Sequence, residues 1–162
     1  MPWLSARWWA RVANLFPTVD AAVTTDAVAA DDSVSFGSSV RFDFDAGEFV
    51  LTPTGRIAVA EDTEAWLQWC AKALLTERYR YLVYSRSYGQ EFDSLMGEGL
   101  PREAAESEIS RIATETLMAD PRTASVRNFS FSWERDQCNF TCEVTNVREE
   151  TGTVQGSVVN RA

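Results

Sequence analysis

Hydrophobic residues recur along this chain with two different periods, and the switches between them outline its elements. Leu4, Trp8, Val12 and Leu15 share one helical face between residues 3 and 16, with Arg7 and Arg11 beside it and Pro17 ending the pattern. Residues 18–35 lack useful periodicity and large side chains, which reads as an extended arm that orders against neighbours. The folded domain begins near Phe36. Val40, Phe42 and Phe44 alternate with Arg41, Asp43 and Asp45 as in a half-buried strand. Asp45-Ala46-Gly47 and Pro53-Thr54-Gly55 then turn the chain through Glu48–Thr52 and Arg56–Val59 into a small meander.

Asp62 or Thr63 offers an N-cap for a helix over 63–76, whose apolar stripe is Trp66, Trp69, Cys70, Ala73 and Leu74. In the connector that follows, Tyr79–Ser85 suits a strand and Gln90–Met96 a short helix or turn. Pro101 starts the clearest helical pattern, with Ala105, Ile109, Ile112, Ala113, Thr116 and Leu117 on its buried side, and Pro121 forces a stop near Ala119. Phe129, Phe131 and Trp133, then Cys138, Phe140, Cys142 and Val144, return to period two. Val154–Val159 makes a short last strand at a sheet edge. The predicted class is α+β: a small N-terminal β-meander, two main helices, and a C-terminal three-stranded antiparallel sheet with an exposed edge strand. Residues 1–35 form an amphipathic helix and arm, and residues 36–162 one domain.

Composition narrows the function. The chain has 162 residues and a net charge of −9, from 24 acidic and 15 basic side chains, so phosphate backbones and anionic lipid surfaces are poor partners. It has no histidine, which removes the commonest general base and zinc ligand. Cys70, Cys138 and Cys142 form no local framework and read as reduced, intracellular, apolar thiols. On a strand Cys138 and Cys142 would stand about 13 Å apart, too far to bridge. Asp43, Asp45 and Glu48 lack the spacing of a calcium loop, so neither metal nor cofactor is expected. Residues 3–16 lack the continuous apolar core of a signal peptide, and no apolar run is long enough to span a membrane. The Trp-rich first helix therefore reads as a docking element for a partner or for this domain.

Leu74–Phe92 gathers Arg78, Arg80 and Arg86, all four tyrosines (Tyr79, Tyr81, Tyr84 and Tyr88) and Glu77 and Glu91, without a lysine. Tyr and Arg are enriched, and Lys depleted, where proteins meet. The alternative is a muramidase-like hydrolase, with Glu77 and either Glu91 or Asp93 as acid and base. The arginines beside those glutamates would lower their pKa values, the opposite of what a general acid needs, so structural ion pairs are the more economical reading.

A series of motifs runs through the domain in order: Phe42-Asp43-Phe44, Gly47-Glu48-Phe49, Thr52-Pro53-Thr54-Gly55, Leu74-Leu75-Thr76-Glu77-Arg78-Tyr79, Tyr88-Gly89-Gln90-Glu91, Glu106-Ser107-Glu108-Ile109, Asp120-Pro121-Arg122-Thr123 and Phe129-Ser130-Phe131-Ser132-Trp133. From Phe36 to Val159 the chain resembles the XkdS-like tail proteins of contractile phages and PBSX-type prophages, which in turn resemble the gene-25-like baseplate wedge proteins. The resemblance implies a non-enzymatic baseplate wedge subunit in six copies, between larger wedge proteins, the first sheath ring and possibly tube or hub proteins. It would be assembled in the host bacterial cytoplasm. Some members of the wider family are called lysozymes, but the residues here do not carry that activity over. Asp120, Pro121 and Arg122 stand where the wider family has Glu-Pro-Arg, one methylene shorter at the acid. The partner interface is expected to comprise Asp120, Pro121 and Arg122, the connector residues Glu77, Arg78, Tyr88 and Glu91, Val154 and Val158 of the last strand, and Trp8. Arg122 is expected either to meet a partner directly or to pair internally with Glu77 or Glu91. As a partner contact it would add little to the stability of the isolated domain.

Overall fold

The structure, a computed structural model, describes residues 34–96 and 100–159. The N-terminal helix with Trp8, and most of the arm, lie outside the described residues.

The N-terminal strands close differently from a simple meander. β1 (Ser38–Val40) pairs antiparallel with β4 (Val59–Glu61), while β2 (Phe42–Asp43) pairs with β3 (Glu48–Phe49). A bridge between Leu51 and Ile57 closes the second turn. The strand expected over 40–44 is divided at Arg41. Its N–H donates to the Ala58 carbonyl at 2.9 Å, and its carbonyl accepts from the Val50 N–H at 3.0 Å, so the strand changes partner there. Val40 faces solvent as a result, while Phe42 and Phe44 are half-buried. The Phe42 ring sits edge-on to Phe44 and to Phe49, each at 5.2 Å.

α1 (Asp62–Leu75) begins one residue earlier than the pattern predicts, with Glu61 in the cap position and no side-chain cap bond. Asp62 and Thr63 serve another purpose. The Asp62 carboxylate accepts from Arg148 at 3.2 Å and the Thr63 hydroxyl donates to Glu150, so both tie the helix start to a distant turn. Trp66, Cys70, Ala73 and Leu74 are buried and Trp69 is half-buried. After the connector, α2 (Phe92–Met96) is a single turn and α3 (Arg102–Met118) buries all six residues of its predicted stripe.

β5 (Thr123–Glu134), β6 (Gln137–Asn146) and β7 (Thr151–Val159) form an antiparallel sheet in that order, with β6 in the middle. Cys138, Phe140, Cys142 and Val144 of β6, with Val154 and Val158 of β7, face the helices. Ser130, Ser132, Thr141, Glu143, Thr153, Gln155 and Ser157 are exposed on the alternate positions. α3 lies against β5 and α1 against β7. The close approach at β7 depends on small residues: a Cβ at Gly152 would stand 2.5 Å from Leu67, and one at Gly156 would stand 2.5 Å from the Phe140 ring. Burying each large side chain of this core contributes about 1.5–3 kcal/mol relative to leaving it in water.

All three cysteines are free and buried, and burial pushes the Cys70 and Cys142 thiols up to about 12. Since the thiolate is the reactive form, a thiol reagent at about pH 8 should leave the native protein unlabelled and label three cysteines after unfolding in guanidinium. Stoichiometric labelling of the native protein would contradict this packing.

Candidate partner interface

The connector between α1 and α2 does not form the strand suggested over Tyr79–Ser85; it is a succession of turns. Tyr79 takes a left-handed φ of 66°, which no strand accommodates. The loop is instead closed at its base. The Arg78 N–H donates to the Gln90 carbonyl at 2.8 Å, and the Gln90 N–H donates to the Thr76 carbonyl at 2.9 Å. Gly89 makes this closure possible, because its φ is 97° and a Cβ there would stand 2.6 Å from the Thr76 carbonyl oxygen.

Arg78 fastens that base to α3. Its side chain is 10% exposed; it donates to the Gly89 carbonyl at 3.0 Å, to Glu91 at 3.1 Å and to Glu115 at 2.8 Å. Burial disfavours the guanidinium charge, but the hydrogen bond to Glu115 and the charges of Glu115 and Glu91 outweigh it and hold its pKa above the ordinary value. The Thr116 hydroxyl adds a bond to the same Gly89 carbonyl. Glu77 takes no part in this clamp and pairs with Arg80 at 2.8 Å on the surface. Both candidate catalytic glutamates are thus bound to arginines. Among the described residues no group of three or more Cys, Asp or Glu is arranged to hold a metal.

Outward from the clamp runs a file of rings. Trp69 meets Tyr88 at 5.6 Å, Tyr88 meets Tyr84 at 4.5 Å, and Tyr84 meets Tyr81 at 6.1 Å. Lys72 lies over Tyr84 and Arg80 over Tyr81, placements in which a cation gains from the ring quadrupole. The Tyr88 hydroxyl is buried and makes no hydrogen bond among the described residues. Burial pushes its pKa up to about 12, and nearby Thr76 only moderates the shift. Tyr84 and Tyr88 therefore support the loop, while Tyr79 and Tyr81 are exposed with the tip. At that tip Leu82 is fully exposed and Val83 is 83% exposed. Neither residue drew notice in the sequence, where Tyr81-Leu82-Val83 reads as strand.

Asp120-Pro121-Arg122 forms the corner between α3 and β5. The Asp120 carboxylate, 5% exposed, accepts the Arg122 backbone N–H at 2.9 Å and its guanidinium Nε at 2.9 and 3.1 Å, and Nη2 completes the fork at 2.5 Å. Nη1 donates to the Phe36 carbonyl at 3.0 Å, and the guanidinium lies 6.0 Å from the Trp69 ring. Arg122 is only 14% exposed. Its partner is neither Glu77 nor Glu91 but the carboxylate two residues back. The shorter Asp suits a bond to the backbone N–H two residues on, an Asx-turn, and Pro121 fixes the bend. The Arg122 guanidinium is therefore held inside the domain.

β7 pairs with β6 alone among the described residues, so its other edge has no strand beside it. Val154 and Val158 point into the core, and the strand's outer faces are Thr153, Gln155 and Ser157. Beside it opens a groove of about 780 Å³ lined by Phe42–Asp45 of the β2–β3 hairpin, by Glu64, Leu67 and Leu75 of α1, and by the sheet including residues 153–157. The sequence held no signal for this groove, because its walls come from three separate stretches.

Residues 38–149 match the family described as contractile injection system sheath initiator. A 74-residue stretch is 34% identical to phage-like element PBSX protein XkdS of Bacillus subtilis (strain 168); it spans 45% of this chain and 52%, about half, of that protein. Among solved structures, a chain of the six-fold symmetrised cryo-EM anti-feeding prophage baseplate is similar at a TM-score of 0.46 and 12% identity. That match covers 78% of this chain and 87% of the other.

Removing Arg122 would leave the buried Asp120 carboxylate without its counter-charge. Arg122→Ala should cost about 2–4 kcal/mol in chemical denaturation, and adding Asp120→Asn should restore part of the loss. Unchanged stability in the single variant would refute the internal role. Glu115 gives a pH signature. The Arg78 hydrogen bond holds its carboxyl below the ordinary value, against a smaller effect of burial. Its contribution is then full above the unfolded-state pKa and fades as pH falls through the depressed one. Glu115→Gln should flatten the acid-side decline of melting temperature below about pH 4.5, and an unaltered profile would count against the clamp.

Proposed function

The chain belongs to the contractile injection system sheath initiator family, and from that premise we propose that it is a baseplate wedge subunit that links wedge core proteins to the first sheath ring. The observation that carries this reading is β7. It is a nine-residue strand seated by Val154 and Val158 on the core, with one edge unpaired among the described residues. Rigid edges of this kind accept a strand from another chain through backbone hydrogen bonds.

The role is structural rather than catalytic. Glu77 and Glu91 serve ion pairs, and the connector they flank carries an apolar tip of the kind that enters a partner's pocket. The tip and the Asp120-Pro121-Arg122 corner are assigned to the wedge partners, and β7 to the sheath. With Arg122 held inside, the corner acts by its shape. Arg122 fixes the chain at Phe36 against this corner, and Trp8 is assigned to a partner contact. Six copies, assembly in the host bacterial cytoplasm and residence in the tail baseplate complete the proposal. Tube or hub proteins are further candidate neighbours.

Deleting β7 would take Val154 and Val158 out of the core, so the test alters outward side chains instead. Charges on a strand edge oppose pairing. Thr153→Lys/Gln155→Lys/Ser157→Lys should fold with near-normal stability and enter baseplates that carry no sheath. Sheaths of normal length on particles containing this variant would refute the assignment of β7.

A further inference from the structure

The groove beside β7 has a chemical character of its own. Phe42 and Phe44 stand on the hairpin side and Leu67 and Leu75 on the helix side, which gives apolar walls to an edge whose backbone can pair. Three carboxylates also line it, from Asp43, Asp45 and Glu64, and no lysine or arginine does. Glu64 is neutralised by Arg41 at 2.8 Å. Asp43 spends one oxygen on the N–H groups of Asp45 and Ala46, at 2.9 and 3.0 Å, which does not cancel its charge. Asp45 has no ion-pair partner among the described residues. The groove therefore combines apolar walls from the hairpin and α1 with a floor of sheet residues that are mostly uncharged and polar, among them Ser130, Asn139, Thr141 and Gln155, and its uncompensated charge is negative and comes from the hairpin.

We propose that this groove selects, for addition to β7, an extended segment of a partner chain that is apolar at alternate positions and carries lysine or arginine where it passes the β2–β3 hairpin. The inference rests on the reading of β7 as a strand-accepting edge and adds the rule by which the strand is chosen. Backbone pairing on β7 is indifferent to sequence and supplies affinity. Alternate side chains reach the apolar walls and supply register, since a one-residue slip would turn them outward. The carboxylates at Asp43 and Asp45 attract a basic strand and repel an acidic one. Electrostatic matching of this kind steers encounter and rejects wrong partners more than it adds affinity. The small acidic hairpin is then a specificity element, held in place by the Phe42 N–H bond to Gln68 of α1 at 3.3 Å.

The test uses the full chain and two synthetic peptides of about ten residues, a strand's length. Both alternate valine with threonine; one bears lysines at its ends and the other glutamates. Titration by calorimetry at low salt should show the basic peptide binding at least about tenfold more tightly, with the gap narrowing as salt rises. Asp43→Asn/Asp45→Lys keeps the turn, because Asn can still accept the two N–H bonds, and should abolish or invert the preference. Equal binding of the two peptides, no binding of either, or an unchanged preference in the variant would overturn the inference. When the peptide test fails but the β7 lysine variant still lacks sheath, the selection rule falls while the role of β7 stands. Normal sheaths on that variant remove the role itself.

Discussion

The buried fork between Arg122 and Asp120 is the constraint on which the rest of the domain depends. It lies where the end of α3, the start of β5, the entry of the chain at Phe36 and the Trp69 ring all meet. A charge pair taken out of water returns its desolvation cost only with good geometry and further bonds. Here the carboxylate also accepts a backbone N–H and the guanidinium also reaches a carbonyl, so both groups find several partners. Directly beside it, the Trp66 indole donates to the Thr123 hydroxyl at 3.0 Å, and the Val147 N–H donates to the Arg122 carbonyl at 2.9 Å. The helix layer, the sheet and the N-terminal strands share this one node.

The connector depends on the node at one remove. Trp69 is the innermost ring of the aromatic file and also the ring over which Arg122 lies. Arg78 fixes the opposite side of the loop to α3. Between these two supports the loop has little freedom at its base and a great deal of exposed apolar surface at its tip. Leu82 and Val83, held in water at the tip, contribute nothing to the core of this domain.

Much of the fold was legible because the signals were local. Pro101 and Pro121 bracket α3, and its six stripe residues are buried as read; the period-two runs of β5 and β6 mark the inner face of the sheet. What escaped is what depends on distant pairing. Nothing in residues 38–61 says that β1 closes on β4, since strands of two or three residues leave no period to match. Tyr79–Ser85 has the composition of a strand, but anchoring Arg78 and Gly89 to one another forces Tyr79 into a left-handed turn. The partner of Arg122 was misjudged for a similar reason. With 24 acidic residues in the chain, composition cannot choose among them, and the shortest path, two residues back, required the geometry of a proline corner. The proposed interface was legible as a set of segments and not as a shape.

The edge of β7 that has no strand beside it among the described residues has a bearing on how free chains behave. An unguarded strand is a template for the same strand of another copy, and Thr153, Gln155 and Ser157 carry no charge that would block such pairing. Protection here is global instead of local. Each subunit carries a net charge of −9, so two of them approach edge to edge against mutual repulsion. High ionic strength would screen that repulsion. Free chains are thereby kept from zipping together by colloidal forces acting on the whole surface, and not by charges on the strand itself.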